Sequence, residues 1–333
     1  MTGSAINICS GLNVVGYWFD YEDSIITDIV SKCYQYYKTN HISFVKVLGI
    51  GHHHIVFEIK IHSMGKIFTR AVRMYKFMIN EDSEKITHVC DHLDENFVYI
   101  PRIEVRNEYW IITDRCYSFQ KLFNKCIETK NLVAIDYLLY LYSKSIYKVV
   151  KYVHNKGYGI FDWKIDNYVV NTNYSYIVLQ LCDIEFSSLR SGEYKYSHNI
   201  IGLYGDMKTL DIKIAIKEIH DVMMYGIKEA SYDDLIRSWT PWDEIIRSVN
   251  KLNHPANKYI NKLLSKIDYK YKLKASKINV NEQIINSIRN MLSAIDKEQE
   301  LDFKNKCNKQ KFDYNQLIEI PVQRILPQSI VEH

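Results

Sequence analysis

His154-Asn155-Lys156-Gly157-Tyr158-Gly159-Ile160-Phe161-Asp162-Trp163-Lys164-Ile165-Asp166-Asn167-Tyr168-Val169-Val170 is the stretch on which the reading of the whole chain turns. Its first residues end a helical pattern, and Gly157 and Gly159 interrupt it. Tyr168-Val169-Val170 then has the composition of a strand. Between helix and strand lies a loop with Asp162, Lys164 and Asn167 at D-x-K-x-x-N spacing. Alone this spacing is a weak signal, because polar loops produce it by chance. Its surroundings give it weight.

Upstream, Ile135, Leu138, Tyr142, Ile146, Val149 and Val153 repeat with a period near 3.6, which predicts a long amphipathic helix running into the loop. Downstream, Tyr176-Ile177-Val178-Leu179 predicts a second strand. It leads to Asp183 within Leu181-Cys182-Asp183-Ile184-Glu185-Phe186. Asp211 opens an apolar stretch, Ile212 to Met224, and from there to about Ile295 the pattern is helical. Asp211 is read as the N-cap of that helix.

The N-terminal half has a different period. Phe44 to Leu48, Ile55 to Ile61 and Ile67 to Met74 read as strands. They are separated by Gly49-Ile50-Gly51 and by the turn Ser63-Met64-Gly65-Lys66. Two more strands are expected, at Phe97–Ile100 or slightly later and at Tyr109–Thr113. A polar helix is expected over 81–95 and another helix around 22–38. The division is an N-terminal extension (1–40), a small antiparallel-sheet lobe (41–116), a mainly helical lobe (117–300) and a polar C-terminal tail (301–333). Strands followed by helices make an α+β fold, and a cleft between two such lobes is a natural ligand site.

Composition narrows the function. At 47% hydrophobic and 25% charged residues the chain has material for a core. A net charge of +4 gives no argument for nucleic acid as a partner. No segment has the length of apolar residues that a membrane span needs, and the N-terminus lacks a basic leader. The seven cysteines form no C-x-x-C pair, so reduced thiols in a cytoplasmic protein are expected. Twenty-seven tyrosines beside five prolines, with much Ile, Asn and Lys, fit an AT-rich coding genome such as that of a large DNA virus or a parasite. Lys258, Lys262, Lys266 and Lys270 recur every four residues. They form either a solvated helix face or an electrostatic dock for acidic substrates or nucleic acid.

In chain order, the glycine turn, the loop and the two strands after it resemble the motifs of the protein-kinase superfamily in a divergent, viral-type form. The resemblance covers roughly residues 43–225. It implies a bilobal fold that uses ATP and Mg²⁺ to phosphorylate Ser or Thr of a protein substrate, in the host-cell cytoplasm if the source is viral. By that resemblance Asp162 takes the proton of the incoming hydroxyl, Lys164 neutralises the phosphoryl group, and Asn167 and Asp183 hold the metal. The resemblance also implies an alternative to the N-cap for Asp211, as a partner for the backbone of the 162–167 loop. Leu48-Gly49-Ile50-Gly51 with Val56 stands for the glycine-rich loop, and Arg70-Ala71-Val72-Arg73 for A-x-K on the third strand. Gly49, Gly51, Val56, Ala71, Arg73 and Thr113 are thus nucleotide-binding candidates, with Asp91, or else Glu84, as the acidic partner of Arg73.

Several positions depart from the family pattern. Arg73 replaces the lysine, with Lys60 as a conceivable substitute. His54, in His52-His53-His54, replaces the third glycine. Ile160-Phe161 replaces His-Arg before the aspartate, so a phosphorylated activation segment would lack its usual partner. Glu185 replaces the D-F-G glycine, and no A-P-E follows. The alternatives are a catalytically impaired pseudokinase that binds a protein partner, and a small-molecule phosphotransferase of the same fold.

Overall fold

The computed structural model describes residues 23–38, 41–50, 54–75, 97–106, 110–183, 187–188, 205–228, 230–238, 240–309 and 320–321. The polar helix expected over 81–95 lies outside them. In chain order come α1 (Asp23–Tyr37), β1 (His41–Ile50), β2 (His54–Ser63), β3 (Lys66–Tyr75), β4 (Ile103–Arg106) and β5 (Trp110–Asp114). Next are β6 (Tyr117–Ser118), α2 (Phe119–Glu128), α3 (Leu132–Asn155), β7 (Tyr158–Gly159), a 3₁₀ turn (Ile165–Asn167), β8 (Tyr168–Asn171), β9 (Val178–Leu181) and β10 (Ser187–Ser188). The remainder is α4 (Met207–Lys228), α5 (Tyr232–Arg237), α6 (Trp242–Leu252), α7 (Asn257–Leu264), a 3₁₀ turn (Ser265–Ile267), α8 (Glu282–Lys309) and β11 (Ile320–Pro321). The expected α+β class is what forms: an antiparallel sheet, then a mostly helical part.

The chain divides into two compact units. One comprises Met1–His88, Arg102–Arg115 and Ala294–His333, the other Val89–Pro101 and Cys116–Ser293. In the first, the sheet order is β11-β1-β2-β3-β5-β4. The β2–β3 hairpin closes through Met64 (φ 50°) and Gly65 (φ 72°). Two left-handed residues between the paired Ser63 and Lys66 match the right-handed twist of the strands. Phe57, Val72 and Ile112 are cross-strand neighbours and fully buried on one face. Lys46, Glu58, Ala71 and Thr113 form the next row, on the opposite face. The Trp110 indole donates to Asp28 of α1 over 3.1 Å. Arg70 grips Glu104 with two bonds of 2.7 and 2.9 Å, and the Tyr37 hydroxyl donates to the same carboxylate.

Of the two places expected for the next strand, Phe97–Ile100 or slightly later, the later is taken: it begins at Ile103, after a turn. Pro101 has no amide hydrogen to give a ladder and delays pairing. Residues 97–101 are used differently, within the second unit. The Gln180 amide of β9, fully buried, donates to the carbonyls of Val98 (2.9 Å) and Ile100 (3.2 Å), and the Leu181 amide donates to Tyr99 (2.9 Å).

In the second unit, α3 buries Ile135, Leu138, Tyr142, Ile146, Val149 and Val153, the residues of the expected stripe. Asn131 caps its N-terminus through the Ala134 amide (3.1 Å). Gly157, at φ 85°, ends it in the left-handed conformation that glycine adopts without penalty. Helix α4 approaches α2 so closely that a Cβ on Gly226 would lie 2.6 Å from the Phe123 ring.

Three boundaries differ from expectation. The strand read at 176–179 lies at Val178–Leu181, because 173–176 bends first. Helix α4 begins at Met207, not Asp211; Asp206 caps it through the Thr209 amide (2.9 Å). Helix α8 runs to Lys309, past the expected start of a tail at 301, and buries Phe303. The expected stripe of Lys258, Lys262, Lys266 and Lys270 also ends early: α7 stops at Leu264, and Asp268, at φ 52°, breaks the spiral before Lys270. Among the described residues no helix is long and apolar enough to cross a membrane. Cys33, Cys116, Cys126 and Cys182 carry no disulfide.

Candidate catalytic loop and nucleotide-facing strands

The loop is built from beneath. Asp211, fully buried in α4, accepts the Phe161 amide (2.8 Å) and the Trp163 indole (2.6 Å) on Oδ1. Its Oδ2 lies 2.6 Å from His154 Nε2 and accepts the Ile160 amide more weakly at 3.4 Å. Of the two roles open to Asp211, the N-cap is thus taken by Asp206, and Asp211 organises the loop. Phe161 has a φ of 60°, and the Asp162 amide bonds back to the Ile160 carbonyl over 2.7 Å. That i-to-i+2 bond around a positive φ is a strained three-residue turn. Phe161 and Trp163 bury their side chains on either side of Asp162, which stays accessible.

Asp162, Lys164 and Asn167 come together. Lys164 Nζ lies 2.8 and 2.9 Å from the two Asp162 carboxylate oxygens. Asn167 Nδ2 donates to the Asp162 carbonyl and to Oδ2, both at 3.0 Å. This orientation sends the Asn167 amide oxygen away from Asp162. The antiparallel register Tyr168↔Leu181 sets Asn167 beside Cys182, whose amide donates to the Asn167 carbonyl over 2.9 Å. Asp183 is the next residue.

Three carboxylates act on Lys164. Burial pulls its pKa down, but the hydrogen bond and charge of Asp162, with the charges of Asp166 and Asp183, outweigh burial and hold it above the usual lysine range. Asp166 is exposed at its tip, yet desolvation raises its carboxyl first, the charges of Asp162 and Asp183 add to this, and Lys164 opposes. The loop is therefore an acidic cluster around one ammonium.

A second layer lies under the 3₁₀ turn. The Tyr232 hydroxyl donates to Glu218 (2.7 Å) and accepts the Ile165 amide (3.4 Å), while Tyr142 donates to Glu218 over 3.3 Å. Glu218 is 2% exposed, and desolvation lifts its carboxyl to about 8. A glutamate in the middle of an apolar helix was the available sequence signal for this layer.

In the sheet unit, Gly49, Val56 and Arg73 form one cross-strand row, and Ala71 pairs with Thr113 one step along. Ala71 and Arg73 share a face, as the period of two requires. Gly49 is exposed, and a Cβ there would meet nothing within 4 Å. Lys60 pairs with Thr69, four residues along β2 from the partner of Arg73. That is about 13 Å of strand, so it does not stand in for Arg73. Gly51, Glu84, Asp91 and Glu185 lie outside the described residues.

The same face holds a cluster that sequence reading missed. Lys46, 1% exposed, reaches Asp296 of α8 at 2.8 Å. Arg115 reaches the same carboxylate and also Glu58 at 3.1 Å. A lysine inside the apolar strand Phe44-Val45-Lys46-Val47-Leu48 was its signal, since a buried ammonium needs a partner.

Among the described residues no group of three or more His, Cys, Asp or Glu side chains has metal-holding geometry. Magnesium does not require one, because it is commonly held by one or two side-chain oxygens plus phosphates and water. The Asn167 amide oxygen and the Asp183 carboxylate are hard donors of the right kind.

No protein-family model matches the chain, and no curated protein matches it. Among solved structures it is similar to one described as "Crystal structure of Rad53 kinase domain and SCD2", with 13% identity, a TM-score of 0.39, and coverage of 88% of this chain and 89% of that one. At that distance the likeness bears on neither activity nor substrate. The chain itself shows an antiparallel sheet unit and a mainly helical unit, with the D-x-K-x-x-N loop between α3 and β8.

Proposed function

We propose that the chain is an ATP-dependent phosphotransferase of the divergent, viral protein-kinase type, acting on Ser or Thr of protein substrates. The observation that carries this reading is Asp162 held from both sides by Lys164 and Asn167, on a turn fixed by Asp211. Asp162 accepts the proton of the acceptor hydroxyl as its oxygen bonds to phosphorus and the bond to the leaving diphosphate breaks. Lys164, kept cationic, lies where negative charge gathers on the transferred group. Asn167 and Asp183 would hold Mg²⁺, which supplies neutralisation of the phosphate oxygens when bound. In the sheet unit, Ala71 and Thr113 offer a surface for adenine, and Gly49, Val56 and Arg73 one for phosphates. Gly49 meets no packing demand for glycine, which fits a backbone kept bare for a ligand.

A second reading, a protein-binding pseudokinase, is favoured by Arg73 standing where the family carries lysine. One experiment separates them. Purified protein is incubated with γ-labelled ATP and Mg²⁺ and offered casein-like, basic and small-alcohol acceptors, beside Asp162→Asn. Label on protein that disappears in the variant is the expected result. No label and no ATP-dependent thermal shift would establish the second reading. Transfer to the small alcohol alone would make the chain a small-molecule kinase.

A further inference from the structure

The face shared by α3 and α7 is built from two runs of sequence that carry lysines and no acid. From Tyr137 to its C-cap Lys156, the α3 segment carries four lysines (three in the helix and the cap itself) and no acid, and His254 to Ile267 carries three lysines and no acid. Over the whole chain the balance is nearly even, at 43 basic and 39 acidic residues. The two runs meet in space. Lys262 Nζ lies 5.2 Å from the ring centroids of both Tyr147 on α3 and Tyr259 on α7. Lys258 lies 5.8 Å from the Tyr259 ring, and the Tyr140 and Tyr259 hydroxyls are 3.2 Å apart. Lys151, Lys208, Lys258 and Lys262 are exposed. Lys266 is held below the usual lysine range, first by desolvation and then by the charges of Lys208 and Lys151, so α4 contributes to the same positive field.

The nearest acids in sequence do not offset it. Asp136 pairs with His254 at 3.3 Å, and Asp206 caps α4. Asp268 follows the patch on the far side of a left-handed turn. Holding several like charges together costs stability unless something of opposite sign repays it.

We propose that this face docks an extended, Asp/Glu-rich segment of a protein. Three features favour an acidic polypeptide over a nucleic acid. Lysines four apart on a helix rise about 6 Å, close to the ~6.8 Å between alternate side chains of an extended strand. The tyrosine rings are already covered by ammonium groups or joined through their hydroxyls, so they offer no open platform for stacking bases. Both runs use lysine alone, whereas the planar fork of arginine is the better reader of phosphates. The docking is independent of phosphoryl transfer at Asp162.

The test is fluorescence anisotropy with the full chain and three labelled probes: an alternating Glu–Gly peptide of about twelve residues, its Lys–Gly counterpart, and a single-stranded oligothymidylate of similar length. The acidic peptide should bind, more weakly as salt rises. Joint Lys151→Glu, Lys262→Glu and Lys266→Glu should reduce its affinity by about tenfold or more. The corresponding Lys→Gln set should give a smaller loss in the same direction, with the melting temperature of both sets confirming the fold. The proposal is overturned if the acidic peptide does not bind, if both variant sets bind it like the native chain, or if the oligonucleotide binds as tightly as the peptide.

Discussion

The Phe161 amide donates to Asp211 Oδ1 over 2.8 Å while Phe161 itself sits at a φ of 60°, so one buried carboxylate holds the strained residue that immediately precedes Asp162. A bulky residue in that region costs about 1–3 kcal/mol and persists only where its surroundings enforce it. Asp211→Ala would leave the Phe161 amide, the Trp163 indole and His154 without their acceptor in a dry site. Urea unfolding should show a loss of about 3–5 kcal/mol. Phosphoryl transfer should fall further than folding alone explains. A variant with native stability and native transfer would remove Asp211 from its assigned place.

How much of this was legible follows from what each residue signals locally. The α3 stripe, the 63–66 turn and the D-x-K-x-x-N loop were readable because period, turn chemistry and spacing are properties of neighbouring residues. Asp211 was ambiguous. An aspartate near the start of an apolar helix serves a cap or a buried anchor equally well, and only Asp206 as the actual cap separates them. The Lys46–Asp296 pair joins residues 250 positions apart, and no local pattern encodes that partner. The strand expected at 97–100 or slightly later takes the later place, Ile103–Arg106, because Pro101 outweighs apolar composition before it. Gly49, Val56 and Arg73 share a cross-strand row, and Ala71 pairs with Thr113, because strand pairing follows from the turns between them.

Glu218 makes stability depend on pH. Its folded-state pKa is about 8, raised by desolvation and by Asp221, with the bonds from Tyr232 and Tyr142 and the charge of Lys217 opposing. A carboxyl in the unfolded chain titrates near about 4.3. Between those values the folded state holds a proton that the unfolded state has released, so stability falls as pH rises and levels off above the folded value. Melting temperature should drop by about 5 °C or more from pH 5 to pH 8.5 in the native chain. Glu218→Gln, which keeps an acceptor for both tyrosines, should flatten that slope. Parallel pH curves for the two proteins would refute the assignment.

Lys46 and Arg115 share Asp296, which makes α8 part of the sheet unit's electrostatics. Asp296→Ala should destabilise by about 1–3 kcal/mol, less than a fully buried pair, because the carboxylate is partly exposed. Joint replacement of Lys46 by Met and Asp296 by Leu should recover much of that loss, since an apolar pair leaves no unpartnered charge. Chemical denaturation of the single and joint variants checks both statements. A joint variant no better than the single one would mean that Arg115 is the dominant partner.

Arg73 is where the proposed nucleotide role is most exposed to failure. It stands opposite Val56 and two residues from Ala71, on the face that also carries Thr113. An arginine there can pair with phosphate oxygens through two parallel bonds, whereas a lysine offers a point charge with different reach. Arg73→Ala should therefore remove most of the ATP-dependent rise in melting temperature, and Arg73→Lys should keep part of it. Asp162→Asn should leave that rise nearly intact, because the role proposed for Asp162 is on the acceptor hydroxyl and not on the nucleotide. Thermal shift titrations with ATP and Mg²⁺ give all three results on one scale. If Arg73→Ala binds nucleotide like the native chain, the phosphate-facing role of this strand is wrong, whatever the catalytic loop does.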